Sequence, residues 1–473
     1  MGILKNSIPD EILKAFDQKY GFSLLIKGDA GTGKTTFALE ILARKQNAYY
    51  ISSRVTPMSL YNQFPWIRNI PKENIIDGTQ IDLQYTGITK KEAILNAVRF
   101  RNIPDFIKLI YHKAEESKNG EKITIVVDSW DAILGAIVQE WEKKNLPGSN
   151  ETILAELTRQ LNINLILIVE TNEKSFLDYI VDGIITMEKI EFNSRRMRIL
   201  TIEKLRGITI KNFKYLFTLK DGRFHCFTPE YRIFKLIDKI KIQPKSLKDK
   251  LNTGIKDFDE LIGGGFPLGS KNIFILGENI GKDYLILLNP LIINQIENYK
   301  PVIHIPSFEY NSSNINILTK ITKNPKIFDY YKIFEKNSLD DQSPNEYKKQ
   351  ESDLISNVKQ YFQLCKKDEK TPILFIYSID ILETIYGHDL LYKNLVNLWN
   401  DIKDIPHVEI IIIKCYQKSS IELTYLAEYL FNILKFQDNL VLYGNIPNTG
   451  LFCVELEDLE KTKTKKLKLT PIL

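Results

Sequence analysis

Residues 22–42 read FSLLIKGDAGTGKTTFALEIL, and this stretch decides the fold. A short apolar run meets a glycine-rich turn, and apolar residues at helical spacing follow from Lys34. The turn, GDAGTGKT at 28–35, fits the Walker A pattern G-x-x-x-x-G-K-[ST] at every fixed position. Strand, loop and helix in that order let successive backbone N–H groups surround a phosphate while the positive end of the helix adds field. The residues expected to hold a nucleotide are Gly28, Asp29, Ala30, Gly31, Thr32, Gly33, Lys34, Thr35 and Thr36. Lys34 would reach phosphate oxygens, Thr35 would ligate Mg²⁺ and Thr36 would support the neighbouring phosphate.

Further along, AYYISS (48–53), ITIVVD (123–128) and INLILIVE (163–170) are short apolar runs alternating with helical stretches. That alternation predicts an α/β fold with a mostly parallel sheet. The segment from Gly183 to Phe217 alternates more and predicts antiparallel edge strands closing the domain. Asp128 ends the second of these runs, where a Walker B carboxylate would hold Mg²⁺ through water; a helix N-cap is the competing reading. Glu170 ends the third and has two readings, a group that orients the attacking water or a solvated strand-end carboxylate.

At 473 residues the chain is too long for one core, since single cores stop growing at roughly 250–300 residues, and two domains are expected. The composition, 44% hydrophobic and 26% charged, is that of a globular protein, and no apolar run approaches the roughly 18–20 residues of a membrane span. The stretch MGILKNSIPDEILKAF lacks a signal-peptide shape, so a cytoplasmic protein is expected. Four cysteines with no C-x-x-C pair and five histidines without ligand spacing predict structural roles rather than a metal centre. A net charge of +5 permits nucleic-acid contact without arguing for it.

The domain boundary is expected near 240, after FTPEYR (227–232) and within the basic run KLIDKIKIQPKSLKDK (235–250), giving domains 1–240 and 241–473. The second half repeats the alternation with PVIHIPS (301–307), PILFIYS (372–378) and VEIIIIK (408–414), an internal duplication at long period. Residues 311–352 read as a polar insertion with helical pieces and no chemistry.

The chain resembles the KaiC/RadA branch of RecA-like ATPases. The resemblance rests on TGIKDFDELIGGGFPLGS (253–270), on DYIVDGIITM (178–187) and on RRMRILTIEKLRG (195–207). A narrower resemblance, to archaeal GvpD-type gas-vesicle regulatory ATPases, rests on IPDEILKAF ahead of KGDAGTGKTTFALEIL and on YYISSRVTPMSLYNQFPW (49–66). It implies two tandem RecA-like P-loop domains, ATP as nucleotide, sites at subunit interfaces of a homo-oligomer, commonly a ring of six, and a protein partner such as a transcriptional regulator. In KaiC-type proteins a K-x-R pair reaches a neighbour's γ-phosphate; Lys204 and Arg206 occupy that place here. Those proteins also carry adjacent glutamates at the end of the second strand, whereas this chain has Ser52, Ser53 and Arg54. Slow or switch-like hydrolysis is therefore expected.

GENIGKDY at 277–284 is the second copy of the loop, one residue short and with Asp283 where the Mg²⁺-binding hydroxyl belongs. Matching ILFIYSID (373–380) to TIVVDSWD (124–131) sets Tyr377 opposite Asp128 and Asp380 opposite Asp131. A carboxylate facing a triphosphate repels it, so this second site is expected to be a remnant. Two other classes of function remain open: a RadA-like recombination accessory using the basic segments 195–206, 235–250 and 460–469, and a structural protein that nucleotide only stabilises.

Overall fold

A computed structural model describes residues 7–77, 110, 113, 122–132, 149–228, 249–310, 318, 327–334, 353–365, 371–458 and 465–473. The chain separates into two compact units, Met1–Thr228 with Ile472–Leu473, and Pro229–Pro471. The expected boundary near 240 and nearly all of the basic run 235–250 lie outside the described residues.

In the first unit the strands are β1 (Phe22–Lys27), β2 (Ala48–Ser52), β3 (Ile75–Asp77), β4 (Thr124–Asp128), β5 (Asn164–Ile168), β6 (Gly183–Phe192), β7 (Arg195–Leu205), β8 (Lys214–Thr218) and β9 (His225–Cys226). They form one sheet in the order β3-β2-β4-β5-β1-β6-β7-β8-β9. Pairing is parallel from β3 to β6 and antiparallel from β6 onward. The central strands are buried on both faces, which is why they read as continuous apolar runs rather than alternating ones. Leu24, Ile26, Val126 and Ile166 pack with Phe37, Leu39 and Ile41 of the helix Lys34–Leu42 on one face. Leu25, Val127, Leu165 and Leu167 pack with Trp130 and Leu154 on the other.

The second unit has β12 (Lys271–Leu276), β13 (Val302–Ile305), β14 (Tyr331–Ile333), β15 (Ile373–Ser378), β16 (His407–Lys414), β17 (Tyr429–Phe436), β18 (Asn439–Ile446), β19 (Phe452–Asp458) and β20 (Lys465–Pro471). Ahead of them a two-stranded hairpin, β10 (Lys250–Leu251) with β11 (Phe266–Pro267), frames the helix Lys256–Leu261. The sheet order is β14-β13-β15-β16-β12-β17-β18-β19-β20, the order of the first unit strand for strand. Each unit is thus a large, mostly parallel sheet flanked by helices with an antiparallel edge, two tandem RecA-like P-loop domains.

One expectation is corrected here. Part of the segment 311–352 is framework, because Tyr331–Ile333 pairs in parallel with Val302–His304 and Tyr331 is buried. Most of the rest of that segment lies outside the described residues. Of the basic tail, Lys465–Pro471 form an edge strand, and its lysines stand opposite acids in the ladder, Lys465 with Asp458, Lys466 with Glu457 and Lys468 with Glu455.

Candidate functional site

The loop after β1 takes its shape from glycines with positive φ. Gly33 (φ 104°) is the left-handed residue from which the helix Lys34–Leu42 starts. At Gly28 (φ 148°) a Cβ would lie 2.3 Å from the Met187 carbonyl oxygen, so only glycine fits against β6. The first backbone bond of the helix runs from Phe37 N–H to the Gly33 carbonyl (2.9 Å), and the amides ahead of it have no intrahelical acceptor. Lys34 is buried, and its Nζ donates to the carbonyls of Gly28 (2.5 Å) and Asp29 (2.8 Å). Burial pushes the Lys34 ammonium below its ordinary pKa, opposed by the charges of Glu170 foremost, then Asp128, Asp29 and Asp131.

β4 brings Asp128 beneath this loop. Its Oδ2 accepts hydrogen bonds from Thr35 Oγ1 (2.6 Å) and from the Tyr50 hydroxyl on β2 (2.5 Å). Tyr50 is almost wholly buried, and desolvation followed by the Asp128 charge raises its pKa well above the ordinary value, so it remains a donor. Sequence reasoning missed Tyr50, which reads as one more aromatic in a buried strand. Ser53 completes the pocket wall: its N–H donates to the Asp128 carbonyl (2.8 Å), and its Oγ accepts from Ser129 N–H (2.9 Å). Hydroxyl and carboxylate oxygen side by side suit Mg²⁺, which typically takes one or two protein oxygens and completes its shell with phosphate and water. Among the described residues there is no cluster of three or more His, Cys, Asp or Glu able to hold a metal alone.

Arg54 and Glu170 meet at the open side. Arg54 Nη1 lies 2.8 Å from both carboxylate oxygens of Glu170, and the Glu170 N–H donates to Asp131 Oδ2 (2.7 Å). Behind the loop, on β7, Arg198 is buried and donates from Nη1 to the carbonyls of Gly31 (3.1 Å) and Thr32 (3.2 Å). Neither arginine's role was visible in the sequence. Lys204 donates to the Asp178 carbonyl (3.0 Å), and Arg206 binds Asp182 Oδ1 (3.2 Å) and the Tyr179 carbonyl (3.1 Å). These partners belong to the turn at 178–182, so the K-x-R pair is gathered at the sheet end and not at the loop 28–35.

The corresponding loop of the second unit is built differently. Ile280 is buried within it, and Asp283 N–H turns back to the Ile280 carbonyl (3.1 Å). Leu285, Ile286 and Leu287 N–H groups likewise bond three residues back, to Lys282, Asp283 and Tyr284, and the helix begins only at Leu285. Asp283 is buried in an ion pair with Lys435 (2.6 Å). The Tyr284 hydroxyl shares a hydrogen bond with Ser307 Oγ (3.1 Å), and burial raises the Tyr284 pKa. Lys414, at the end of β16, pairs with Glu309 (3.0 Å) and Asp380 (3.3 Å).

The match of Tyr377 to Asp128 is corrected by the pleat. Leu374 and Ile376 face the helix that follows the second loop, as Val126 faces the helix Lys34–Leu42. Tyr377 lies on the opposite face, where its hydroxyl donates to Glu409 Oε2 (2.7 Å). Ser378, not Tyr377, therefore shares the face of Asp128. Ser378 itself carries no carboxylate, and Asp380, two residues on, is paired with Lys414 (3.3 Å).

Residues 12–204 match the family described as GvpD gas vesicle protein, P-loop domain. Protein GvpD2 of Halobacterium salinarum is 26% identical to this chain over 95% of the chain and 93% of that protein. Protein GvpD1 of the same organism is 30% identical over 69% of this chain and 61% of that protein. The circadian clock oscillator protein KaiC of Thermostichus vulcanus is 22% identical over 56% of this chain and 50% of that protein. Residues 12–204 thus carry a GvpD P-loop domain, and the chain as a whole is similar to GvpD proteins and, at lower identity, to KaiC.

Proposed function

We propose that the chain is a regulatory ATPase that binds Mg-ATP in its first unit alone and hydrolyses it slowly, so that the nucleotide acts as a switch. The reading rests on one observation above all, the Thr35 hydroxyl 2.6 Å from the Asp128 carboxylate directly after a loop that leaves Lys34 and the helix amides to an anion. Bound phosphate would replace the two loop carbonyls that Lys34 now contacts. Mg²⁺ would neutralise phosphate charge between Thr35 and Asp128. Slow turnover follows from the strand-end residues Ser52, Ser53 and Arg54, none of which can accept a proton from water as a carboxylate does.

In the second unit the amides of Asp283, Leu285, Ile286 and Leu287 are spent on turns and the Asp283 carboxylate on Lys435, which supports a role in packing, assembly or partner binding. Assembly as a homo-oligomer, with Lys204 and Arg206 reaching a neighbour's nucleotide, and a protein partner such as a transcriptional regulator extend the same reading by family likeness. No described helix is long and apolar enough to cross a membrane. The test is calorimetric stoichiometry with Mg-ATP: one nucleotide per wild-type chain and none for Lys34→Ala. Two per chain, one of them surviving Lys34→Ala, would overturn the assignment of a silent second unit.

A further inference from the structure

Three features bring Arg54 to the phosphate end of the first site. It follows directly on Ser53, whose N–H and hydroxyl both bond to the Asp128 carbonyl (2.8 and 3.1 Å). The turn that carries it is fixed, because the Ser52 hydroxyl accepts from the Val55 N–H (2.9 Å). Its guanidinium meets Glu170, two residues beyond the end of β5, the strand lying between β4 and β1 and so between Asp128 and the loop. Arg54 is thus a cation on a fixed backbone, held at the mouth of the loop by a single acid.

We propose that Arg54 is the residue of this chain that reads the γ-phosphate, exchanging the Glu170 carboxylate for the terminal phosphate of a bound nucleoside triphosphate. The exchange is chemically matched, because guanidinium binds carboxylate and phosphate with the same two-pronged geometry and a phosphate carries the larger negative charge. It is also easy: the Arg54 and Glu170 side chains keep 52% and 36% of their exposure, and exposed pairs of this kind hold weakly. A diphosphate offers no group at that distance, so with it Arg54 stays on Glu170. The switch between triphosphate and diphosphate states would then be a movement of one side chain between two partners, deepening the nucleotide reading given above and resting on it.

The experiment is titration of Mg-ATP and Mg-ADP into full-length wild type, Arg54→Ala, Arg54→Lys and Glu170→Ala. Arg54→Ala is expected to weaken ATP about 10–100-fold while leaving ADP within about twofold, with Arg54→Lys intermediate. Glu170→Ala, which removes the competing carboxylate, is expected to tighten ATP several-fold and leave ADP unchanged. Equal losses for ATP and ADP in Arg54→Ala, or no loss for either, would overturn the inference while leaving the nucleotide site standing. Absence of binding by the wild type would remove the site and the inference together, a result distinguishable from either.

Discussion

The two units carry the same sheet, strand for strand, around two loops of different local build. In the first, left-handed Gly33 starts the helix at Lys34 itself, so the leading amides and the ammonium converge on one space. In the second, the missing residue tightens the loop into successive three-residue turns, and the helix starts three residues later relative to its lysine, at Leu285 rather than Lys282. The sheet order is therefore shared while the loops are not. The difference is local: the number of residues between glycine and lysine, and whether the residue after the lysine offers a hydroxyl or a carboxylate already paired.

The largest effect that separates the two loops is on binding. Lys34→Ala is expected to abolish measurable Mg-ATP binding, whereas Lys282→Ala is expected to leave both affinity and stoichiometry unchanged. A measurable loss from Lys282→Ala in calorimetry would erase the distinction between the loops. Folding stability of both variants should stay close to wild type, which thermal unfolding without nucleotide checks.

The next contrast concerns the polar side chains beside each loop. Tyr50 of the first unit faces Asp128, while in the second unit His304 is buried among Tyr310 and Tyr331, its Nδ1 2.7 Å from the Tyr331 hydroxyl. Burial lowers the His304 pKa from 6.5 to about 3. The folded state therefore keeps this imidazole neutral where the unfolded chain takes up a proton. Its contribution is whole above pH 6.5 and is lost as pH falls towards 3, at about 1.4 kcal/mol per pH unit. Glu409 shows the opposite displacement, a pKa lowered below 4.5 because His407, Lys271 and Tyr377 together outweigh its desolvation, so its contribution fades only at lower pH. Denaturant unfolding between pH 6.5 and 4.5, run on wild type beside His304→Gln, reads the contribution of this histidine by difference. His304→Gln should flatten the slope in that window, and an unchanged slope would show that the ring is not held neutral.

Much of this arrangement was legible in the sequence. The strand, loop and helix at 22–42, the carboxylate ending ITIVVD and the long-period duplication all stand where the residues put them. Those signals are local, a fixed spacing of glycine and lysine or an unbroken apolar run. The edge strands β17 to β20 were not drawn out, because a strand such as KKLKLTP carries too many lysines to read as sheet until its acidic neighbour β19 is known. The match of Tyr377 to Asp128 failed for a related reason. Aligning letters ignores the pleat, and a shift of one residue moves a side chain to the other face of the sheet. The Arg54–Glu170 and Arg198 contacts join residues more than 100 positions apart, which no spacing in one sequence can announce.

A smaller effect tests that corrected face. Tyr377 donates to Glu409, which also accepts from the Trp399 indole (2.8 Å), so Tyr377→Phe removes one donor from a buried carboxylate. A hydrogen bond to a charged group is worth about 1.5–3 kcal/mol, and the second unit should lose stability by that amount with nucleotide binding untouched. If Tyr377 instead stood in the place of Asp128, the same change would alter any binding at the second loop.

The smallest effect belongs to Tyr50, because there the loss falls on a metal preference rather than on folding or on the phosphate cradle. Its hydroxyl and Thr35 Oγ1 both donate to a single oxygen of Asp128, Oδ2. Tyr50→Phe frees the carboxylate to rotate, and the loss of such an orienting partner costs about tenfold in metal affinity. The expected result is therefore a Mg²⁺ requirement shifted about tenfold upward, with nucleotide binding in EDTA unchanged. A change in the metal-free affinity would mean that Tyr50 shapes the loop itself, and Asp128 would then be holding the fold of the site rather than a cation.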